Sequence, residues 1–193
     1  MKKPGDWENV KVYENRKKLP AGGYICEVKK CEETTSSTGK EMVKVAFEIA
    51  EGEFKGYFMD EFTRAKEYKQ DAKWPYAGTK WILTKDEEGN TNRLLKAFVT
   101  SIEAENVKVE WNDNFRKSVQ GALLGVVFRN EENEYEGVHY WRAVPCFFCS
   151  CEDIRTNNYN TPADKPLDVP GASLSRADDL PDSFQAVEED IPF

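Results

Sequence analysis

Met42-Val43-Lys44-Val45-Ala46-Phe47-Glu48-Ile49 decides the fold. Val43, Val45, Phe47 and Ile49 fall on one face of an extended chain, and Met42, Lys44, Ala46 and Glu48 on the other. That two-residue period is the signature of a half-buried strand. Upstream, Tyr24, Cys26 and Val28 alternate with Ile25, Glu27 and Lys29 in the same way. Thr34 to Lys40 supplies a turn of Ser, Thr and Gly between the two runs. Lys17 to Gly23 reads as a loop punctuated by Pro20, Gly22 and Gly23. Downstream, Glu51-Gly52-Glu53 turns the chain again, and the aromatic-rich stretch Gly56 to Arg64 is predicted to be a third strand. Three strands with short links form an antiparallel meander.

The middle of the chain changes period. Lys66 to Lys73 is polar and compatible with a helix ending before Trp74-Pro75. Asn90-Thr91-Asn92 offers N-cap chemistry, after which Leu94, Leu95, Phe98, Val99 and Ile102 recur at helical spacing. A weaker helix is expected from Asn112 to Gln120. Strands return at Leu123 to Asn130 and Val138 to Val144, flanking a charged loop from Glu131 to Gly137. The predicted fold is therefore mainly β: an OB-fold-like β-barrel of five or more antiparallel strands with a helical insertion. A different five-stranded barrel or a half-open sheet satisfies the same pattern. The expected organisation is a barrel domain over 1–155, a flexible linker over 156–181 and a disordered acidic tip over 182–193.

Charge has to be divided before it informs. The chain of 193 residues carries a net −8, and residues 161–193 hold eight acids and two bases, or −6 of it. The other 160 residues then carry 25 bases against 27 acids, a balance that still permits one basic face. No stretch approaches a membrane span and no export signal opens the chain, so the expected location is cytoplasmic. The five cysteines are accordingly expected to stay reduced. Cys146, Cys149 and Cys151 form C-x-x-C-x-C, short of the four ligands of a structural zinc unless Cys26, Cys31 or His139 contributes. Phe147 and Phe148 between them favour buried thiols, and no cofactor or metal is expected. With a single histidine and no P-loop, G-x-S-x-G or H-E-x-x-H, an enzyme is not expected.

Aromatics and bases interleave in three places, the combination that single-strand binders use for stacking and phosphate contact. The first contains Phe54, Lys55, Tyr57 and Arg64. The second is the loop Lys73-Trp74-Pro75-Tyr76 through Lys80-Trp81. The third is the late hairpin, with Arg129, Tyr140 and Arg142. Most aromatics in any chain are core. The Trp74–Trp81 loop is the exception worth weighing, because a turn holding Pro75 and Gly78 is a poor place to bury three rings.

The last six residues, Glu188-Glu189-Asp190-Ile191-Pro192-Phe193, place three carboxylates before an apolar anchor. That tip resembles the C-terminus of bacterial and phage single-stranded DNA-binding proteins, which end in an acidic run and Ile-Pro-Phe. Pro20-Ala21-Gly22-Gly23-Tyr24, Phe54-Lys55-Gly56-Tyr57 and the Leu124–Val144 hairpin are similar to features of small phage proteins found among replication and recombination genes. The resemblance implies sequence-non-specific binding of single-stranded DNA by the barrel. It also implies recruitment of replication, recombination or repair proteins by Glu188 to Phe193. The alternative is a non-enzymatic adaptor whose barrel binds protein instead of DNA. The sequence leaves the oligomeric state open, a homo-oligomer included.

Overall fold

The computed structural model describes Lys3, Gly5 and residues 17–167. The expectations for the acidic tip and for residues 168–181 lie outside those residues. Within them, five strands form one antiparallel sheet: β1 (Gly22–Thr35), β2 (Glu41–Ile49), β3 (Thr79–Leu83), β4 (Leu123–Tyr135) and β5 (Val138–Cys149). Their order is β3-β2-β1-β4-β5. The sheet is not closed into a barrel, because its edges β3 and β5 share no ladder among the described residues. Four helices accompany it: α1 (Tyr57–Tyr68), α2 (Arg93–Glu103), α3 (Phe115–Val119) and α4 (Cys151–Arg155).

The opening alternation places β1 and β2 as the sequence predicts, with Val43, Val45, Phe47 and Ile49 all buried. The stretch Gly56 to Arg64 does not form the expected third strand; it lies in the loop and helix of α1. Glu48 explains the switch. This buried carboxylate accepts the backbone N–H of Phe58 at 3.0 Å and of Met59 at 2.5 Å, satisfying donors that the first turn of a helix leaves without a partner. Gly56, at φ 81°, makes the left-handed step into it. Phe58 then points into the core, its ring 6.1 Å from Phe47 and 6.2 Å from Phe128. The third strand is instead the five-residue β3, which begins within the stretch Lys73 to Trp81 that the sequence suggested was a loop.

The strongest predicted helix is α2, where Asn92 caps the N-terminus by accepting the Leu94 N–H at 2.8 Å. Leu95, Phe98, Val99 and Ile102 are its buried face, and Phe98 meets Phe148 of β5 edge-on at 5.3 Å. The weaker helix shrinks to α3. The charged loop expected from Glu131 to Gly137 is mostly strand: β4 and β5 pair out to Tyr135 and Val138. Only Glu136 and Gly137 form the turn, both at positive φ, as a two-residue hairpin turn of the right twist requires.

Two features after β5 carry no hydrophobic period and escaped the sequence. The first is α4, which opens on a capping box between Ser150 and Asp153. It covers the sheet where β1 and β4 present Gly23 and Gly125. A Cβ at Gly23 would stand 2.5 Å from Ile154 Cδ1, and one at Gly125 would stand 2.7 Å from the Ser150 carbonyl. The second feature lies in the stretch read as linker. Tyr159 joins the same close packing, its hydroxyl oxygen accepting the Gly23 N–H at 3.0 Å. Lys165 then joins β4 through two backbone hydrogen bonds, to Asn130 and from Glu132. The described part of 156–181 therefore lies against the sheet.

Candidate nucleic-acid interface

The two edge strands that share no ladder are joined by side chains instead. Thr79–Leu83 is short, and its residues alternate: Lys80 is the register partner of Val45, and Trp81 that of Lys44. The two side chains therefore leave β3 on opposite faces. Lys80 Nζ reaches across the open seam to the Pro145 carbonyl of β5, at 2.7 Å. Burial pushes this ammonium below its ordinary value, opposed by the nearby Cys146 and Glu131.

On the other face a ladder of rings and cations crosses from β2 to β5. Lys44 Nζ lies 5.8 Å from the Trp81 ring, Trp81 lies 5.4 Å from Tyr76, and the Arg142 guanidinium lies 4.4 Å above Tyr76. Tyr76 belongs to a 3-10 turn, Tyr76–Gly78, which leads into β3. Trp74 holds that turn from behind. Its Nε1 donates to the Gly78 carbonyl at 3.0 Å, its ring meets Phe62 at 5.5 Å, and a Cβ on Gly78 would collide with it.

The acid that is register partner of each ladder cation is held by another base. Glu32 is the register partner of Lys44; Lys30 pairs with it and, with a smaller contribution from Lys44, holds its carboxyl below the ordinary value. Glu131 is the register partner of Arg142, but Arg129 donates to it through both Nε and Nη2, at 2.9 and 2.8 Å. Among the described residues, no carboxylate pairs with Arg142, and its buried Nε has no hydrogen-bond partner. Two cations are thus left facing rings. Register continues the same face outward along the hairpin, from Glu131 and Arg142 to Asn133 and Tyr140, then to Tyr135 and Val138. Tyr135 and Val138 are exposed there.

Of the residues that the sequence nominated, the structure brings Tyr76, Trp81 and Arg142 together; Arg129 joins them through Glu131, Tyr140 follows Arg142 on the same face of β5, and Lys80 leaves β3 on the opposite face. Trp74 is packing for the turn. Phe54 and Tyr57 rim the core instead, around Tyr24, with ring separations of 5.9 and 6.1 Å along the series Tyr24–Phe54–Tyr57. Lys55 stands exposed beside them, Arg64 is exposed on α1, and Lys73 is exposed ahead of Trp74. Lys44 was missed. Its signal, an outward position in β2, became meaningful only once β3 supplied Trp81 opposite it. Glu188 to Phe193 lie outside the described residues.

Cys26, Cys31 and Cys151 belong to the interior, and Cys146 and Cys149 are half-buried. Burial pushes the Cys31 and Cys151 thiols up to about 12, with Glu33 and Glu105 adding to the effect. Cys149 rises to about 11, and burial also raises Cys26 and Cys146. Among the described residues, no three His, Cys, Asp or Glu side chains gather into a metal-holding group. No described helix is long and apolar enough to cross a membrane.

A family model described as "Protein of unknown function (DUF669)" matches residues 5–147, which span β1 through the greater part of β5. No curated protein matches the chain.

Proposed function

We propose that this chain, which belongs to the DUF669 family, binds single-stranded DNA without sequence preference and serves replication, recombination or repair. The observation that carries this reading is the Lys44–Trp81–Tyr76–Arg142 ladder. It offers two adjoining rings flanked by cations on a partly open surface, the combination on which bases stack and phosphates are neutralised. Strand pairing supports it. β1 pairs with β2 and β4, β2 with β3, and β4 with β5, with α2 between β3 and β4. Those are the pairings of an OB barrel without its closing pair. OB folds bind oligonucleotides on the face of strands 2 and 3 and on the loops 1–2 and 4–5. Here β2 and β3 carry Lys44 and Trp81, and the β4–β5 hairpin carries Arg142 and Tyr140.

On this reading the tip Glu188 to Phe193 recruits the enzymes that act on the bound strand. Phe193 fills an apolar pocket, and the three carboxylates meet a basic rim on the partner. Titration with fluorescent oligo-dT and with duplex of equal length tests the first part. Tight binding of the single strand, weakening steeply with salt as counterions are released, is the expected result. Binding of neither form sinks this reading and favours the adaptor. Capture from host lysate tests the second part, using the full chain, a chain lacking 182–193 and Phe193→Ala. If all three retain the same replication or repair proteins, the tip does not recruit them.

A further inference from the structure

The ladder has a property that a bare stacking platform lacks: each of its rings already carries a cation. The guanidinium of Arg142 lies over Tyr76 and Lys44 lies over Trp81, while the two rings meet at 5.4 Å and 35° and Tyr76 stays 44% exposed. A base that stacks on the covered part of either ring has to displace a cation from it. The cations are nonetheless weakly committed. Glu131, opposite Arg142, is taken by Arg129; Glu32, opposite Lys44, pairs with Lys30 and feels Lys44 only as a secondary charge; and the buried Arg142 Nε has no hydrogen-bond partner.

We propose that Lys44 and Arg142 are placeholders, covering Trp81 and Tyr76 in the free protein and exchanging places with a bound strand, so that a base takes the ring and a phosphate takes the cation. The inference rests on the single-strand reading above and adds a mechanism to it. The energetics favour the exchange. A cation on an exposed ring is a weaker contact than a base stacked on it, and a guanidinium gains a bidentate, charge-assisted partner when it moves to a phosphate. The exchange makes each cation a competitor for its own ring before binding and a phosphate contact afterwards. The same arrangement keeps two aromatic surfaces covered when no strand is present.

Salt separates these two roles. We would titrate the full chain, Arg142→Ala, Lys44→Ala, Arg142→Lys and Tyr76→Ala with oligo-dT over a range of salt, checking each by thermal melting. Arg142→Ala and Lys44→Ala should each lower the slope of log affinity against log salt by about 0.7, the value for one phosphate contact to a single strand. Their deficit should shrink as salt rises and vanish or invert at high salt, where the uncovered ring remains an advantage. Arg142→Lys should restore the slope. Tyr76→Ala should weaken binding at every salt concentration with the slope unchanged. Parallel lines for the full chain and both cation variants would overturn the exchange while leaving single-strand binding intact. Should Arg142→Ala unfold, Lys44→Ala carries the same test from the other end of the ladder. If the full chain binds no oligo-dT, the exchange and the reading beneath it fall together.

Discussion

Lys80 and Pro145 sit on the two edge strands of the sheet, and the 2.7 Å hydrogen bond from Nζ to the Pro145 carbonyl joins edges that no backbone ladder connects. Lys80→Ala should therefore loosen the seam more than the core. A hydrogen bond from a charged donor is worth about 1.5–3 kcal/mol, part of which is offset by relieving the buried ammonium. The expected net loss is about 1–2 kcal/mol, seen as faster amide exchange in β3 and around Pro145. Unchanged exchange in both strands would mean that the bridge holds nothing.

The two tryptophans nearest the ladder should behave differently. Trp81→Ala should cost roughly 1–3 kcal/mol of oligo-dT affinity with little loss of melting temperature, since the ring lies on the outer face of β3. Trp74→Ala should do the reverse. It removes the hydrogen bond to Gly78 and the ring that packs on Phe62, so about 2–3 kcal/mol of stability should go with it. Equal affinity losses at equal stability would undo this division.

Glu48→Ala should release α1. Two backbone N–H groups, of Phe58 and Met59, lose a charged acceptor in a buried setting. The expected cost is about 2–4 kcal/mol. Phe58 should then lose its fixed place beside Phe47 and Phe128, and helical circular dichroism should fall. Glu48→Gln keeps one acceptor oxygen and should recover part of the loss.

Alkaline pH should destabilise the protein through its thiols. Burial raises Cys31 to about 12 from an ordinary 9.0, and Cys26 also rises from 9.0. The folded state therefore holds these protons more tightly than the unfolded chain. That stability is intact below about pH 9 and is lost as pH rises toward 12, with a limiting slope of about 1.4 kcal/mol per pH unit for each enclosed thiol. Half-exposed Cys149, raised to about 11, adds less because solvent screens it. Lys80 acts in the opposite sense, as one group against several. Urea midpoints should hold between pH 7 and 8.5 and fall by pH 10.5. A midpoint that rises over that range would contradict the burial of the thiols.

The sequence displayed what local period can display. The alternation at Val43 to Ile49, the stripe at Leu95 to Ile102 and the hairpin pairs from Leu124 onward all settled into the elements that they announce. What it hid depends on distant partners. Gly56 to Arg64 is rich enough in aromatics to pass for a strand, and only a carboxylate ten residues earlier in sequence makes it a helix. Closure into a barrel fails for a related reason. β3 is five residues long, and register gives it to β2 alone. At the candidate interface, interleaving of aromatics and bases along the chain found Tyr76, Trp81 and Arg142. The same criterion also nominated Phe54 and Tyr57, which rim the core, and it passed over Lys44, whose aromatic neighbour lies across a strand boundary.

The Tyr76–Trp81 pair also provides an optical reporter. Two aromatic transition dipoles 5.4 Å apart and inclined by 35° couple to one another, and a nearby guanidinium biases the coupled transition. The near-ultraviolet circular dichroism of the native protein should therefore contain a signed feature that either Tyr76→Phe or Trp81→Phe alters. Any ligand that parts the two rings or slides between them should change that feature in step with occupancy, so the surface can be watched at work without a dye attached to it.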